Sequence, residues 1–401
     1  MDFYGYMRPN GKAGARNYVL LQPVNRSLNF IASNVERMTR NTRHFEIPAE
    51  TGRTEVDREV IARTLIGLMN NANVGGIVLL AVKSGAGSAY KNMCAERFEE
   101  EARKTGKPLR IVYLTNVGGS YNMLGETLRL TREVLLEVSD FRRENCPLSA
   151  LTLGVKCGTS DATSGIAGNP CVGAAFDQLI RAGGTAFFSE TTEIIGAEDL
   201  VAKRAVNESV AKKILSAARH WEDKAKATGE DIRKINPIPA NIAAGISSRE
   251  EKSLGAIAKS GTSPIQDVLK YAEMPKGSGL YFVDSWMSSL SLPLCLTACG
   301  ATIMLYQMGG GKIAQHPMMP SINPTVVSPF LYLTGNAVAY SRAPDNFDFD
   351  ASSIMTEGAS IPEMGTKLLE HLSAIASGTM TKMETLNYAE QLELYMEGPV
   401  L

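Results

Sequence analysis

The sequence lacks the features that would tie it to a membrane, a nucleic acid or a secreted disulfide scaffold. No apolar run is long enough to span a bilayer, which excludes a membrane-spanning helix. Lys plus Arg number 41 against 42 Asp plus Glu, so there is no basic surplus to grip a phosphate backbone. The opening M-D-F-Y-G-Y-M-R-P-N-G-K has no signal-peptide pattern, and a cytoplasmic protein is expected. The cysteines have no paired zinc spacing; Cys295 and Cys299 stand on an otherwise apolar run. Cys94, Cys146, Cys171, Cys295 and Cys299 are therefore expected as reduced thiols, mostly buried.

What is present is a long alternation of strand-like and helix-like segments. In the first part, strands are expected over Tyr18 to Val24, His44 to Pro48, Gly76 to Val82 and Leu109 to Asn116. Helical runs lie between them, and a charged segment from Asp140 to Pro147 looks like a linker. The pattern predicts an α/β protein of two domains, with mainly parallel sheets flanked by helices. The expected boundaries are 1–145 for a first α/β domain and 146–401 for a second that carries the main site.

The stretch from Leu151 to Val206 organises the second domain. Leu151 to Lys156 reads as a buried strand that opens at Cys157 into a loop rich in Gly, Ser, Thr and Asp. Pro170 starts a helix with Asn169 as its expected N-cap, and Gly183-Gly184 ends it. Thr185 to Ser189 is a second strand, stopping at Glu190, with Glu193 and Glu198 close behind. Further apolar strands end at Asp284, at Gln307 and at Gly335-Asn336. Ligands of open α/β sheets bind at the carboxyl ends of strands, so this recurrence predicts a convergent site. The Gly309-Gly310-Gly311 triplet after Gln307 offers backbone amides to an anion or simply makes a tight loop. Arg8 or Arg16, in the Gly- and Arg-rich opening, could meet a carboxylate or serve a surface connector. Lys252, taken alone on a helix, is expected on a solvated face.

Several blocks carry a family resemblance. C-G-T-S-D-A-T-S-G-I-A-G-N-P at Cys157 to Pro170 and G-G-T-A-F-F-S-E-T-T-E-I-I-G-A-E at Gly183 to Glu198 resemble the galactarate and altronate dehydratase family. So do E-K-S-L-G at Glu251 to Gly255, Y-A-E at Tyr271 to Glu273, and the opening G-Y-M-R-P-N-G-K-A-G-A-R-N-Y. The chain is also similar to the large subunit of sulfolactate sulfo-lyase, of the same family. Departures fall at Arg26-Ser27, Ala49-Glu50, Asn70-Asn71 and Asp284 to Met287.

The resemblance implies a lyase acting on a hydroxy acid. In a sugar-acid dehydratase, loss of water gives a 2-keto-3-deoxy acid; a sulfo-lyase would release sulfite from sulfolactate or a similar acid. A third alternative is a non-catalytic acid-binding or scaffold subunit. A divalent metal is implied, iron or manganese foremost and magnesium next. The first two routes begin with removal of a weakly acidic α-proton, and the enediolate formed needs a cation beside it. Glu190, Glu193 and Cys157 are the metal ligands expected on that account. Lys252 becomes the candidate base, with Glu190 and Asp284 beside it in catalysis. Arg16, Ser160, Asp161, Gly309, Gly310 and Asn336 are assigned to the substrate. Single-chain members carry a small antifreeze-like N-terminal domain not found here. A small partner subunit of that type, in a homo- or hetero-oligomer, is therefore expected.

Overall fold

The computed structural model describes residues 1–83, 90–310, 323–386 and 393–400. Three sheets organise them. The smaller parallel sheet contains β3 (Tyr18–Pro23), β4 (Thr42–His44), β5 (Val74–Ala81) and β6 (Leu109–Tyr113), in the order β4-β3-β5-β6. Its central strand is buried along its whole length and reads V-G-G-I-V-L-L-A. That continuous apolar run is what a strand covered on both faces requires. Amphipathic helices over Asn29–Met38, Glu55–Asn70, Ala95–Lys104 and Ser120–Ser139 supply the cover.

The larger sheet has seven strands, all parallel. They are β8 (Thr152–Gly158), β9 (Thr185–Phe188), β10 (Ile265–Leu269), β11 (Gly279–Val283), β12 (Ile303–Met308), β13 (Phe330–Thr334) and β14 (Phe349–Asp350). The order is β10-β11-β9-β8-β12-β13-β14. The chain steps from β8 outward to β9 on one side and later from β12 outward to β13 on the other. The switch falls at β8 and β12, where parallel sheets open a crevice at their carboxyl ends. The fold class is therefore α/β with two mainly parallel sheets flanked by helices, as the segment pattern predicts.

The segment 140–147 differs from its expectation as a linker. Glu144–Pro147 is a strand, β7, paired antiparallel with β1 (Asp2–Met7), which also pairs with β2 (Ala13–Gly14). Phe3, Ala13, Ala15 and Cys146 pack into the core of the larger sheet. The chain's far end does the reverse. Glu397 and Gly398 donate their backbone N–H groups to buried Asp57, at 2.7 and 3.0 Å, on the helix Glu55–Asn70. The two sheet units thus exchange their terminal segments.

The joint between the units is close and polar. Helix Glu55–Asn70 meets helix Ser291–Ala298 so tightly that a Cβ on Gly67 would lie 2.2 Å from the Ala298 carbonyl oxygen. Asn71 donates to the carbonyls of Thr297 and Ala301, both at 2.9 Å, and Asn73 donates to Thr302 O at 2.8 Å. Asn71 belongs to the Asn70-Asn71 pair that departs from the family pattern; here it stitches the two units together.

Candidate functional site

At the carboxyl edge of the larger sheet the strand ends do meet. The Cys157 N–H donates to Glu190 Oε2 at 2.9 Å, and the Cys157 thiol donates to Gln307 Oε1 at 3.3 Å. Cys157 Sγ also lies 3.4 Å from Ser160 Oγ and 3.8 Å from Asn169 Nδ2. Asp284 stands one strand further out. It accepts hydrogen bonds from Thr191 Oγ1 at 2.7 Å and from Trp221 Nε1 at 2.9 Å. Its Oδ1 thereby ties the turn after Glu190 to the helix Glu208–Ala227.

Asn169 is not the N-cap that the sequence suggests. A π-helical turn over Ser164–Gly168 runs directly into the helix Asn169–Arg181, so Asn169 has helical backbone angles. Its side chain is freed to face the site, where Nδ2 donates to Gly255 O at 2.8 Å and buried Oδ1 finds no protein partner among the described residues. Gln307 Nε2 is likewise buried without a partner. Buried polar atoms are rarely left this way except where a ligand or water completes them.

Lys252 differs from its expected solvated face. It is 6% exposed, on the helix Arg249–Ile257. That helix crosses the π-turn at Gly255 and Gly165, where a Cβ on either residue would lie 3.0–3.1 Å from the other's Cα. The absence of two side chains brings Lys252 against the Ser160 loop. Lys252 Nζ donates to Asn236 Oδ1 at 2.6 Å and to Asn241 Oδ1 at 3.0 Å. Asn241 is oriented by its own Nδ2, which donates to Ser160 O at 2.9 Å. Lys252, Ser160, Asp161, Ser164 and Asn169 share the wall of one cavity of about 280 Å³.

Behind this cavity lies a buried ion cluster. Lys259 Nζ donates to Glu193 Oε2 at 2.8 Å and to Glu190 Oε2. Lys156 Nζ makes an ionic contact with Glu190 Oε1 at 3.3 Å, not aligned as a hydrogen bond, and faces the Tyr306 ring at 5.1 Å. All four charged side chains are 5% exposed or less. Burial would pull both lysines down; instead Glu190 and Glu193, joined by Tyr306 at Lys156, hold both above the ordinary lysine range. Burial would push Glu193 up, yet Lys259, with Lys252 and Lys156, holds it below the ordinary carboxylate range. The Cys157 thiol is pushed up to about 11 by burial and then by Glu193. Glu190 adopts a left-handed backbone (φ 74°, ψ 63°), uncommon for a residue with a side chain, and this turns its carboxylate back beneath β8.

Glu190, Glu193 and Cys157 do not fit the metal-ligand role expected of them. Two ammonium groups already neutralise the two carboxylates, and the third donor is a protonated thiol. A divalent ion there would leave two uncompensated charges in a dry interior. Among the described residues no three His, Cys, Asp or Glu side chains gather as a metal-binding group.

The residues expected at the substrate divide into two groups. Ser160 and Asp161 line the cavity, but the Asp161 carboxylate is saturated by its own loop and neighbours. Oδ1 accepts from Thr163 Oγ1 at 2.6 Å, and Oδ2 accepts from Gly310 N–H at 2.6 Å and Asn336 Nδ2 at 2.9 Å. Asn336 Oδ1 caps the helix Ala337–Arg342. Gly309 and Gly310 are small because side chains there would strike Thr159 O and Asn336. Asp161, Gly309, Gly310 and Asn336 therefore brace the loops around the cavity; Gly311 lies outside the described residues. Arg16 is elsewhere altogether, paired with Glu384 at 2.6 Å and donating to Ile375 O and Thr379 O.

Sequence reasoning missed Lys156, Lys259, Asn236 and Asn241. Lys156 had a usable signal, because a lysine inside the apolar run L-T-L-G-V-K-C needs a buried partner. Lys259, in S-L-G-A-I-A-K-S-G, gave a weaker form of the same signal.

Fold and site together define a two-unit α/β protein whose carboxyl-edge cavity is backed by a lysine–glutamate cluster. Residues 148–399 match the family model described as D-galactarate/altronate dehydratase, C-terminal, and residues 5–139 match D-galactarate dehydratase/altronate hydrolase, second domain. The chain belongs to the D-galactarate/altronate dehydratase family. It is 32% identical over 394 residues to (2R)-sulfolactate sulfo-lyase subunit beta of Chromohalobacter salexigens, covering 97% of this chain and 96% of that one. It is 29% identical over 409 residues to altronate dehydratase of Bacillus subtilis, covering all of this chain and 78% of that one. Galactarate dehydratase (L-threo-forming) of Escherichia coli is 31% identical over 350 residues, with 84% of this chain and 63% of that one covered.

Proposed function

We propose that the chain is a lyase that dehydrates a short polyhydroxy acid to a 2-keto-3-deoxy acid at the carboxyl-edge cavity. The observation that carries this is Lys252, buried in a cavity beside Ser160 and Asn169 and held by two amide oxygens. Asn236 and Asn241 fix the position of Nζ, and a Lys252 that has given up one proton presents its lone pair to the α-proton. Lys252 then removes the α-proton, and the electron pair moves to the carboxylate as an enediolate. The electron pair returns to form the Cα–Cβ double bond, the β-hydroxyl leaves as water with the proton that Lys252 took up, and the resulting enol tautomerises to the keto acid. Ser160 and Asn169 Oδ1 would hold substrate hydroxyls.

A second reading is favoured by one observation: the sulfo-lyase relative is matched over 96% of its length, the dehydratases over less. There the same α-proton abstraction would expel sulfite, with the electron pair of the broken C–S bond, from a three-carbon sulfo acid. The name of that relative, a beta subunit, supports a complex with a second subunit. The purified chain, alone and with candidate small subunits, should be given altronate, galactarate and sulfolactate in turn. A 2-keto-3-deoxy acid in the product carries the first reading, free sulfite carries the second, and neither, in any combination, defeats both.

A further inference from the structure

We propose that the amino edges of the two parallel sheets form a second ligand site, which takes a small polyanion bearing carboxylate or phosphate groups. This site lies at the opposite end of the larger sheet from Lys252. Thr152, the first residue of β8, lines it, whereas Cys157 and Gly158 end that strand at the cavity already described. A seven-residue strand sets the two about 20 Å apart.

Two cavities meet there, of about 340 and 200 Å³, with Asn10 and Asn70 on the walls of both. Arg8, Lys12 and Lys107 line them, Lys276 adds a further charge at the larger one, and Lys104, already paired with Glu100 and Glu101 at 2.8 Å, stands at the smaller. Among the described residues neither cavity has a carboxylate on its wall. Every hydrogen-bond partner of the three inner cations is neutral. Arg8 donates to Ala72 O and Asn17 Oδ1, both at 2.8 Å. Lys12 donates to Thr185 Oγ1 at 3.2 Å. Lys107 donates to Met69 O at 2.6 Å and Asn71 O at 2.8 Å.

This is the reverse of the ion cluster at the carboxyl edge, where Lys156 and Lys259 each have a glutamate. Arg8 is buried and Lys12 and Lys107 are half-buried; holding cations out of water beside neutral groups alone is costly, and an anion within the cavities offsets that cost. Burial accordingly pulls Arg8 down to about 10 and lowers Lys12 and Lys107 as well. Backbone carbonyls hold Lys107 and Arg8 in place, so the positive surface is preformed rather than assembled on binding. The enclosed volumes suit a metabolite rather than a polymer. Asn71, which lines the larger cavity, also bonds across the joint between the units, so an occupant would touch both.

The test is calorimetric titration of the full chain at constant ionic strength, with inorganic phosphate in one arm and succinate, a dicarboxylate without hydroxyls, in the other. Saturable binding of one equivalent is expected in at least one arm, and the arm that responds names the anion class. The double variant Lys12→Gln/Lys276→Gln should bind at least about tenfold more weakly, and Lys252→Met should bind as the wild type does. Unchanged melting of the double variant would show that the loss is local. The proposal is overturned if neither anion binds saturably, if the double variant binds like the wild type, or if Lys252→Met abolishes binding.

Discussion

Lys252 shows how little a residue's type says about its role until its neighbours are known. On sequence spacing it belongs to a charged helix start, R-E-E-K, and a solvated position is the natural expectation. Two glycines on crossing segments reverse that, because they let its helix approach until the amine is enclosed. Lys252→Met keeps the aliphatic stem and removes the proton acceptor. On the proposed chemistry, kcat with the true substrate should fall by about 10²-fold or more while the melting temperature holds. A variant that keeps more than about a tenth of wild-type turnover, at unchanged KM, would remove Lys252 from the role of base. Arg16 is the opposite case. Its guanidinium suits a carboxylate, as the sequence suggests, but the carboxylate is Glu384 of its own chain.

At the scale of the element, the carboxyl ends of β8 and β9 carry the charges that matter. Replacing Glu190 with Gln leaves Lys156 and Lys259 short of a counter-charge in a dry setting. Loss of one partner from a buried ion pair costs about 3–5 kcal/mol, so a large drop in denaturation midpoint is expected. The metal content of the purified variant should equal that of the wild type; a bound metal lost with Glu190 would restore the ligand assignment. Glu193 adds a pH signature. Its folded value is depressed, so its stabilisation is present above the ordinary carboxylate value of 4.5 and is lost as pH falls below that through the folded value. Melting curves should show a steep acid limb in the wild type and a shallower one in Glu193→Gln.

These elements also mark what sequence pattern can and cannot reveal. The central strands of both sheets were legible, because burial on two faces writes an unbroken apolar run. β10 was missed, since I-Q-D-V-L at Ile265–Leu269 is half-buried with polar residues inside. β7 was missed because Glu144, Asn145 and Pro147 are exposed and its pairing with β1 spans the whole first unit. The convergence of strand ends was legible from topology alone. Which polar side chains face a ligand and which brace loops was not, because that depends on partners far away in sequence, such as Asn336 for Asp161.

At the scale of the molecule, the two units are coupled by exchange of their ends. Asp57, buried in the first unit, holds the backbone of Glu397 and Gly398. Asp57→Ala should raise amide hydrogen exchange in the 393–400 segment well above wild type, at a cost of about 1–3 kcal/mol to global stability. Unaltered exchange there would mean the segment is held by other contacts. The same exchange sets an order of events on the ribosome. Domains generally condense as they emerge, the first-made first. Here β1 must wait for β7, and Asp57 must wait for Glu397, 340 residues further along the chain. The first unit therefore waits with the Asp57 carboxylate unclaimed while every strand of the larger sheet is made, and the joint closes only after that sheet exists.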